Sequence, residues 1–114
     1  MSNIVIVGSG PAGVSAALYA VRAGVQTTVL TKGSGALARA ETIENYYGFA
    51  QPVSGPELER RSIENARRLG VQFVQTEAVG LTWTDRLTVE TLAGAYPADA
   101  FILATGASRA VPRI

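Results

Sequence analysis

A chain of 114 residues, 47% hydrophobic and 17% charged, has the composition of one small globular domain and not of a disordered segment. A net charge of +1 gives no electrostatic basis for binding nucleic acid or an anionic membrane. The absence of cysteine and histidine excludes a dithiol, a thiolate nucleophile, a disulfide framework and the usual zinc ligands.

Ile4 to Val7 is an unbroken β-branched run, the pattern of a strand buried on both faces of a parallel sheet. A Gly-x-G-x-x-Gly loop, Gly8 to Gly13, follows it. Val14, Ala17, Leu18 and Val21 then recur at helical spacing, and Gly24 supplies a stop. Thr27 to Leu30 reads as a second strand, which completes a β-α-β unit. Residues 32–51 show no clean periodicity and carry the polar-aromatic patch ETIENYYGF, Glu41 to Phe49. A connection that long inside a compact domain is usually functional or disordered.

Ser54-Gly55-Pro56-Glu57 resembles a capping box with Pro in the first turn, and predicts a helix to about Leu69 with Leu58, Ser62, Ala66 and Leu69 on one face. Arg60, Arg61, Arg67 and Arg68 share that helix with Glu57, Glu59 and Glu64, which predicts a solvated, ion-paired surface. Val71 to Gln75 alternates as a strand. Leu81 to Leu92 alternates about a turn at Asp85-Arg86, a hairpin whose small sheet Trp83 and Tyr96 are expected to pack. Asp99 to Ala104 is a closing apolar strand that ends in Thr105-Gly106. The fold class is α/β: a Rossmann-like parallel sheet with helices and a small antiparallel layer. No apolar run approaches the ~20 residues that span a bilayer, and no basic n-region suggests a signal peptide, so the expected location is the cytoplasm.

Each glycine of GSGPAG has a physical task. Gly8 permits the tight turn off the strand, Gly10 lets backbone approach a pyrophosphate, and Gly13 lets the helix pack closely on the sheet. The N–H groups and dipole at the helix N-terminus favour the anion, and Pro11 near the helix start sacrifices no intrahelical bond. The fingerprint has one gap. Where Asp or Glu ordinarily grips the ribose hydroxyls at the end of the second strand, this chain has Thr31 followed by Lys32. A hydroxyl still bonds a ribose, without charge assistance. Alternatively, Lys32 offers a cation to a 2′-phosphate, which would make the ligand NADP.

The stretch ADAFILATGASR, Ala98 to Arg109, brings small residues and a hydroxyl to the C-terminal edge of a sheet, where open α/β sheets bind ligands. With GSGPAG, ETIENYYGF, SGPEL (Ser54 to Leu58) and ADAFILATGAS in this order, the chain resembles the N-terminal part of the low-molecular-weight thioredoxin reductases, a group of two-dinucleotide-domain flavoproteins. GALARAETIENYYGF is most similar to an anaerobe-type subgroup, some of whose members take electrons from ferredoxin.

The resemblance implies FAD as cofactor. It places Gly8, Ser9, Gly10, Pro11, Ala12 and Gly13 around the pyrophosphate, and Thr31 and Lys32 near the adenosine ribose. The backbone of Glu77, Ala78 and Val79 would lie against the adenine edge, with Asn45 beside the flavin ring and Ala104, Thr105 and Gly106 closing over the cofactor. Ala36 and Leu37 stand in the flavin-proximal segment, where usual members read Gly-Gly-Gln-Leu and this chain reads Gly35-Ala36-Leu37. Tyr47 stands where Pro is common.

In such proteins the FAD domain is interrupted by an NAD(P)-type domain carrying a Cys-x-x-Cys pair, and a later segment returns with an Ala-Gly-Asp signature. None of these is present in residues 1–114, so the expectation is the N-terminal segment of an FAD-binding domain with binding residues and no catalytic ones. The parent enzyme would take electrons from NADPH or ferredoxin, pass them through FAD to a dithiol and then to a thioredoxin-like disulfide protein, and act as a homodimer. The remainder would come from the same polypeptide or from a complementary chain. Two rivals stand beside this reading: an NADP-binding Rossmann module, and a non-enzymatic module that binds a nucleotide or a partner segment. The open sheet edge left by a missing segment would favour self-association.

Overall fold

The computed structural model describes residues 2–33, 51 and 53–105. Strand β1, Asn3–Val7, leads through the glycine loop into helix α1, Pro11–Arg22, and strand β2, Gln26–Thr31. Helix α2, Gly55–Arg68, precedes strand β3, Gln72–Gln75. Strands β4 (Ala78–Trp83), β5 (Leu87–Thr91) and β6 (Gly94–Ala98) follow, and β7 is Ala100–Leu103. The four parallel strands lie in the order β3-β2-β1-β7, and the antiparallel ones in the order β4-β5-β6.

Strand alternation sorts the apolar residues into two layers. Ile6 and Val29 face the helices and form a cluster with Val14, Ala17, Ala66 and Val71. Val5, Val7 and Leu30 face the other way and pack on Val89 and Ala98 of the small sheet. The parallel sheet is therefore covered on both faces, which is why Ile4 to Val7 reads as a continuous apolar run. Thr27 is 1% exposed, and its Oγ1 donates to the Val25 carbonyl at 2.9 Å, so its burial leaves no unmet donor.

The expected hairpin is a three-stranded sheet, because residues 94–98 form β6. Gly94 and Pro97 obscure that strand in the sequence. Proline is tolerated there because β6 is an edge strand, with Pro97 in register opposite Thr88. The chain passes from β6 to β7 across Asp99 alone. The Asp99 N–H donates to the Asn3 carbonyl at 3.0 Å, and its Oδ2 accepts from the Asn3 N–H at 2.8 Å. Arg86 Nη2 donates to Asn3 Oδ1 at 2.8 Å and lies 3.5 Å from Asp99 Oδ1, tying the β4–β5 turn to the same corner.

Two packing expectations are corrected. Tyr96 packs against the small-sheet cluster, but Trp83 is 72% exposed: it ends β4, the outer strand, beyond the reach of the parallel sheet. Leu69 lies past the end of α2 and is 43% exposed, while Ile63 and Ala66 make the helix's inner contacts. The ion-paired surface of α2 is as expected, with Glu57 joined to Arg60 and Arg61 at 2.6 and 2.8 Å and Glu64 to Arg60 at 2.8 Å. Ser54 caps the helix by accepting from the Glu57 N–H at 3.2 Å. Among the described residues no helix is long and apolar enough to cross a membrane.

Ile6 has no exposed surface, so Ile6→Ala is expected to cost about 2–5 kcal/mol in urea unfolding, whereas Trp83→Ala should stay within about 0.5 kcal/mol. Hydrogen bonds from Arg60 and Arg61 hold Glu57 down from its ordinary 4.5 to about 2. A depressed carboxylate stabilises the fold above its unfolded value, and that contribution is lost as pH falls from 4.5 towards 2. A stability profile of Glu57→Gln across that window should be flatter than that of the parent chain.

Candidate functional site

All four parallel strands end at one edge, and the glycine loop sits at its middle. Gly8 has φ +116°, and its N–H donates to the Leu30 carbonyl at 2.8 Å. On the other side, the Ala104 N–H donates to the Val7 carbonyl at 2.8 Å, which draws the end of β7 onto the loop. A Cβ on residue 8 would lie 2.0 Å from the Ala104 carbonyl oxygen, and one on residue 13 would lie 2.0 Å from that of Gly8. Both glycines are thus required by the protein's own packing. Gly10 differs: a Cβ there would meet no atom of the described residues within 4 Å. Among the described residues the space beside Gly10 is open, and it lies at the start of α1.

That helix start has no side-chain cap and no acidic residue in its first turn. Its first N–H groups and its positive dipole end are therefore presented to an incoming anion. By contrast α2 caps itself through Ser54 and carries Glu57 in its first turn. A pyrophosphate fits what α1 offers: uncapped donors, no acid in its first turn and no side chain at Gly10 to keep it away.

The tip of β2 lies beside the loop. Thr31 Oγ1 is 2.6 Å from Ser9 Oγ, joining the glycine loop to the end of the second strand, and it accepts from the Gly33 N–H at 3.1 Å. Lys32 Nζ is 3.3 Å from Glu77 Oε1. Glu77 arrives there because the Thr76 N–H extends the β2–β3 ladder to the Thr31 carbonyl at 3.0 Å. Beyond it, the β4–β5 register slips between Ala78 and Gly80, so Val79 has no opposite residue on β5. Val79 is 60% exposed, and Ala78 packs on the small-sheet cluster.

The structure therefore assembles Gly8, Ser9, Gly10, Pro11, Ala12, Gly13, Thr31, Lys32, Glu77, Ala104 and Thr105 around the edge of the parallel sheet, with Ala78 and Val79 following Glu77 into β4. Ala36, Leu37, Asn45 and Gly106 lie outside the described residues. Sequence reasoning missed the Ser9–Thr31 contact, the Lys32–Glu77 pair and the slip at Val79. Only Gly80, inside an alternating strand, signals the last.

A glycine loop between β1 and α1, with β2 and β7 on opposite sides of β1, defines a dinucleotide-binding α/β domain. The chain belongs to the pyridine nucleotide-disulphide oxidoreductase family, which it matches over residues 2–114. It is 38% identical to a thioredoxin reductase of Peptoclostridium litorale, over 93% of this chain and 35% of that protein. It is 40% identical to a 34.2 kDa protein in the rubredoxin operon of Clostridium pasteurianum, over 96% of this chain and 37% of that protein. The crystal structure of an atypical thioredoxin reductase from Desulfovibrio vulgaris Hildenborough superposes with a TM-score of 0.88 at 39% identity, over 98% of this chain and 38% of that one. The chain thus spans just over a third of the length of these proteins. Its fold is part of the Rossmann-like FAD-binding fold of the thioredoxin reductases, and its family implies a flavin cofactor.

The two kinds of glycine are separable by mutation. Gly8→Ala and Gly13→Ala are each expected to lower stability by about 3 kcal/mol or more, or to prevent cooperative folding. Gly10→Ala, at φ −73°, should cost about 1 kcal/mol or less in the same thermal or urea melts.

Proposed function

We propose that this chain is the N-terminal segment of the FAD-binding domain of a thioredoxin reductase-like oxidoreductase, and that its glycine loop holds the pyrophosphate of FAD. The observation that carries the reading is the space beside Gly10, open at the uncapped N-terminus of α1 and bounded by glycines the fold itself requires.

In this reading Gly8 to Gly13 form the pyrophosphate cradle, Ser9 and Thr31 face the adenosine ribose with Lys32, and the slipped backbone at Val79 is available to the adenine edge. Ala104, Thr105 and Gly106 close over the cofactor, and Ala36, Leu37 and Asn45 belong to the flavin side. FAD, when bound, supplies two-electron transfer, and the chain's part is to bind and orient it. With no cysteine, this segment carries no thiol to reduce a disulfide.

The parent activity we infer is electron transfer from NADPH or ferredoxin through FAD and a dithiol, supplied outside these residues, to a thioredoxin-like disulfide protein. An inserted NAD(P)-type domain and a returning segment, on the same or a complementary chain, would complete a homodimeric cytoplasmic enzyme. The NADP-module reading is the weaker one, because the cation it needs, Lys32, is engaged by Glu77.

The test is the absorption spectrum of the chain after incubation with FAD and desalting. A flavin band near stoichiometry is expected, and Gly10→Val should abolish it while leaving the melting transition in place. Saturable NADPH binding without retained flavin would replace this reading with the NADP module. Failure to bind either would show that these residues do not form a dinucleotide site unaided.

A further inference from the structure

We propose that the Glu77 side chain is the specificity determinant at the ribose end of the site, and that by engaging Lys32 it makes the site reject a 2′-phosphorylated ribose. The inference rests on the dinucleotide reading above. It assigns to a carboxylate on the β3–β4 connection the discrimination that an acid at the tip of β2 ordinarily performs.

Three observations carry it. First, the tip of β2 bears no acid, and its hydroxyl already has partners in Ser9 Oγ at 2.6 Å and the Gly33 N–H at 3.1 Å. Thr31 therefore offers little to repel a phosphate. Second, Lys32, the cation nearest that tip in sequence, has its Nζ 3.3 Å from Glu77 Oε1. Third, Glu77 is held in place by its backbone. Thr76 extends the β2–β3 ladder just before it, and the Glu77 carbonyl accepts from the Leu92 N–H at 3.1 Å.

The pair is open to an arriving ligand, since the side chains of Lys32 and Glu77 are 69% and 48% exposed. A phosphate dianion arriving here would meet the Glu77 carboxylate and would have to take Lys32 from it. A ribose with a free 2′-hydroxyl faces neither cost. The device thus favours FAD or another unphosphorylated adenine dinucleotide.

The experiment compares ADP-ribose with 2′-phospho-ADP-ribose by calorimetric titration of the full chain and of Glu77→Gln. The parent chain is expected to prefer ADP-ribose. Glu77→Gln should narrow that preference by about five- to tenfold, less at high ionic strength. The double variant Glu77→Gln, Lys32→Gln should restore the parent ratio, because the cation released by the first change is removed by the second. Both positions are exposed, and unchanged thermal transitions would confirm that the variants fold. An unchanged ratio in Glu77→Gln, or a gain that survives loss of Lys32, overturns the inference while the dinucleotide reading stands. Binding of neither ligand by the parent chain overturns both.

Discussion

The carbonyl of Ala104 occupies the position where residue 8 would carry a side chain, and the carbonyl of Gly8 does the same to residue 13. These two contacts, stacked one on the other, bring the end of β7, the turn after β1 and the first turn of α1 into a single packed column. Nothing larger than hydrogen fits at either glycine, and the positive φ at Gly8 adds a backbone reason at the first. The placement of α1 against the sheet depends on that column, and so does the direction in which its N-terminus points. The third glycine of the motif owes nothing to this packing. The motif thus divides into two residues that make the fold and one that leaves room beside it.

The same edge shows how the layers cooperate. The helical layer supplies the dipole of α1, and the parallel sheet supplies Thr31 and the approach of Ala104. The small sheet contributes through its junction with β3, where Leu92 holds the Glu77 backbone and the register slip frees Val79 from strand pairing. Asn3, Asp99 and Arg86 fasten the small sheet to the opposite end of β1. The antiparallel layer is therefore anchored at both ends of the parallel sheet, not merely laid on its face. Its far strand extends beyond that support, and Leu81 and Trp83 on β4 remain exposed as a result.

What the sequence made legible was whatever depended on local periodicity or on a short motif. The β-branched run of β1, the helical spacing of Val14 and Ala17, the cap at Ser54 and the glycine loop each carry their signal within a few residues. The resemblance to thioredoxin reductases then joined segments that periodicity alone left separate. What stayed hidden depended on long-range register. Strand β6 reads poorly because Gly94 and Pro97 break the alternation, and only an edge position makes the proline acceptable. Trp83 reads in the sequence as a packing residue of the small sheet, but its exposure is fixed by which strand lies outermost. The Lys32–Glu77 pair joins residues far apart in sequence, and neither side chain announces the other.

The two helices make the division between structure and function concrete. Helix α2 satisfies its own N-terminus: Ser54 accepts a first-turn N–H, Glu57 complements the dipole, and Arg67 and Arg68 lie in the last turn. Its outer face carries ion pairs of Arg60 with Glu57 and Glu64. Helix α1 keeps a favourable basic residue in its last turn, Arg22, yet begins at Gly10 with no side-chain cap and no acid. Relative to a side-chain cap, a glycine start costs a helix only a few tenths of a kcal/mol, roughly. The sequence accepts that small cost at α1 and avoids it at α2. That asymmetry supports the proposed pyrophosphate role of the α1 terminus, since an external anion would supply the acceptor that α2 draws from its own Ser54.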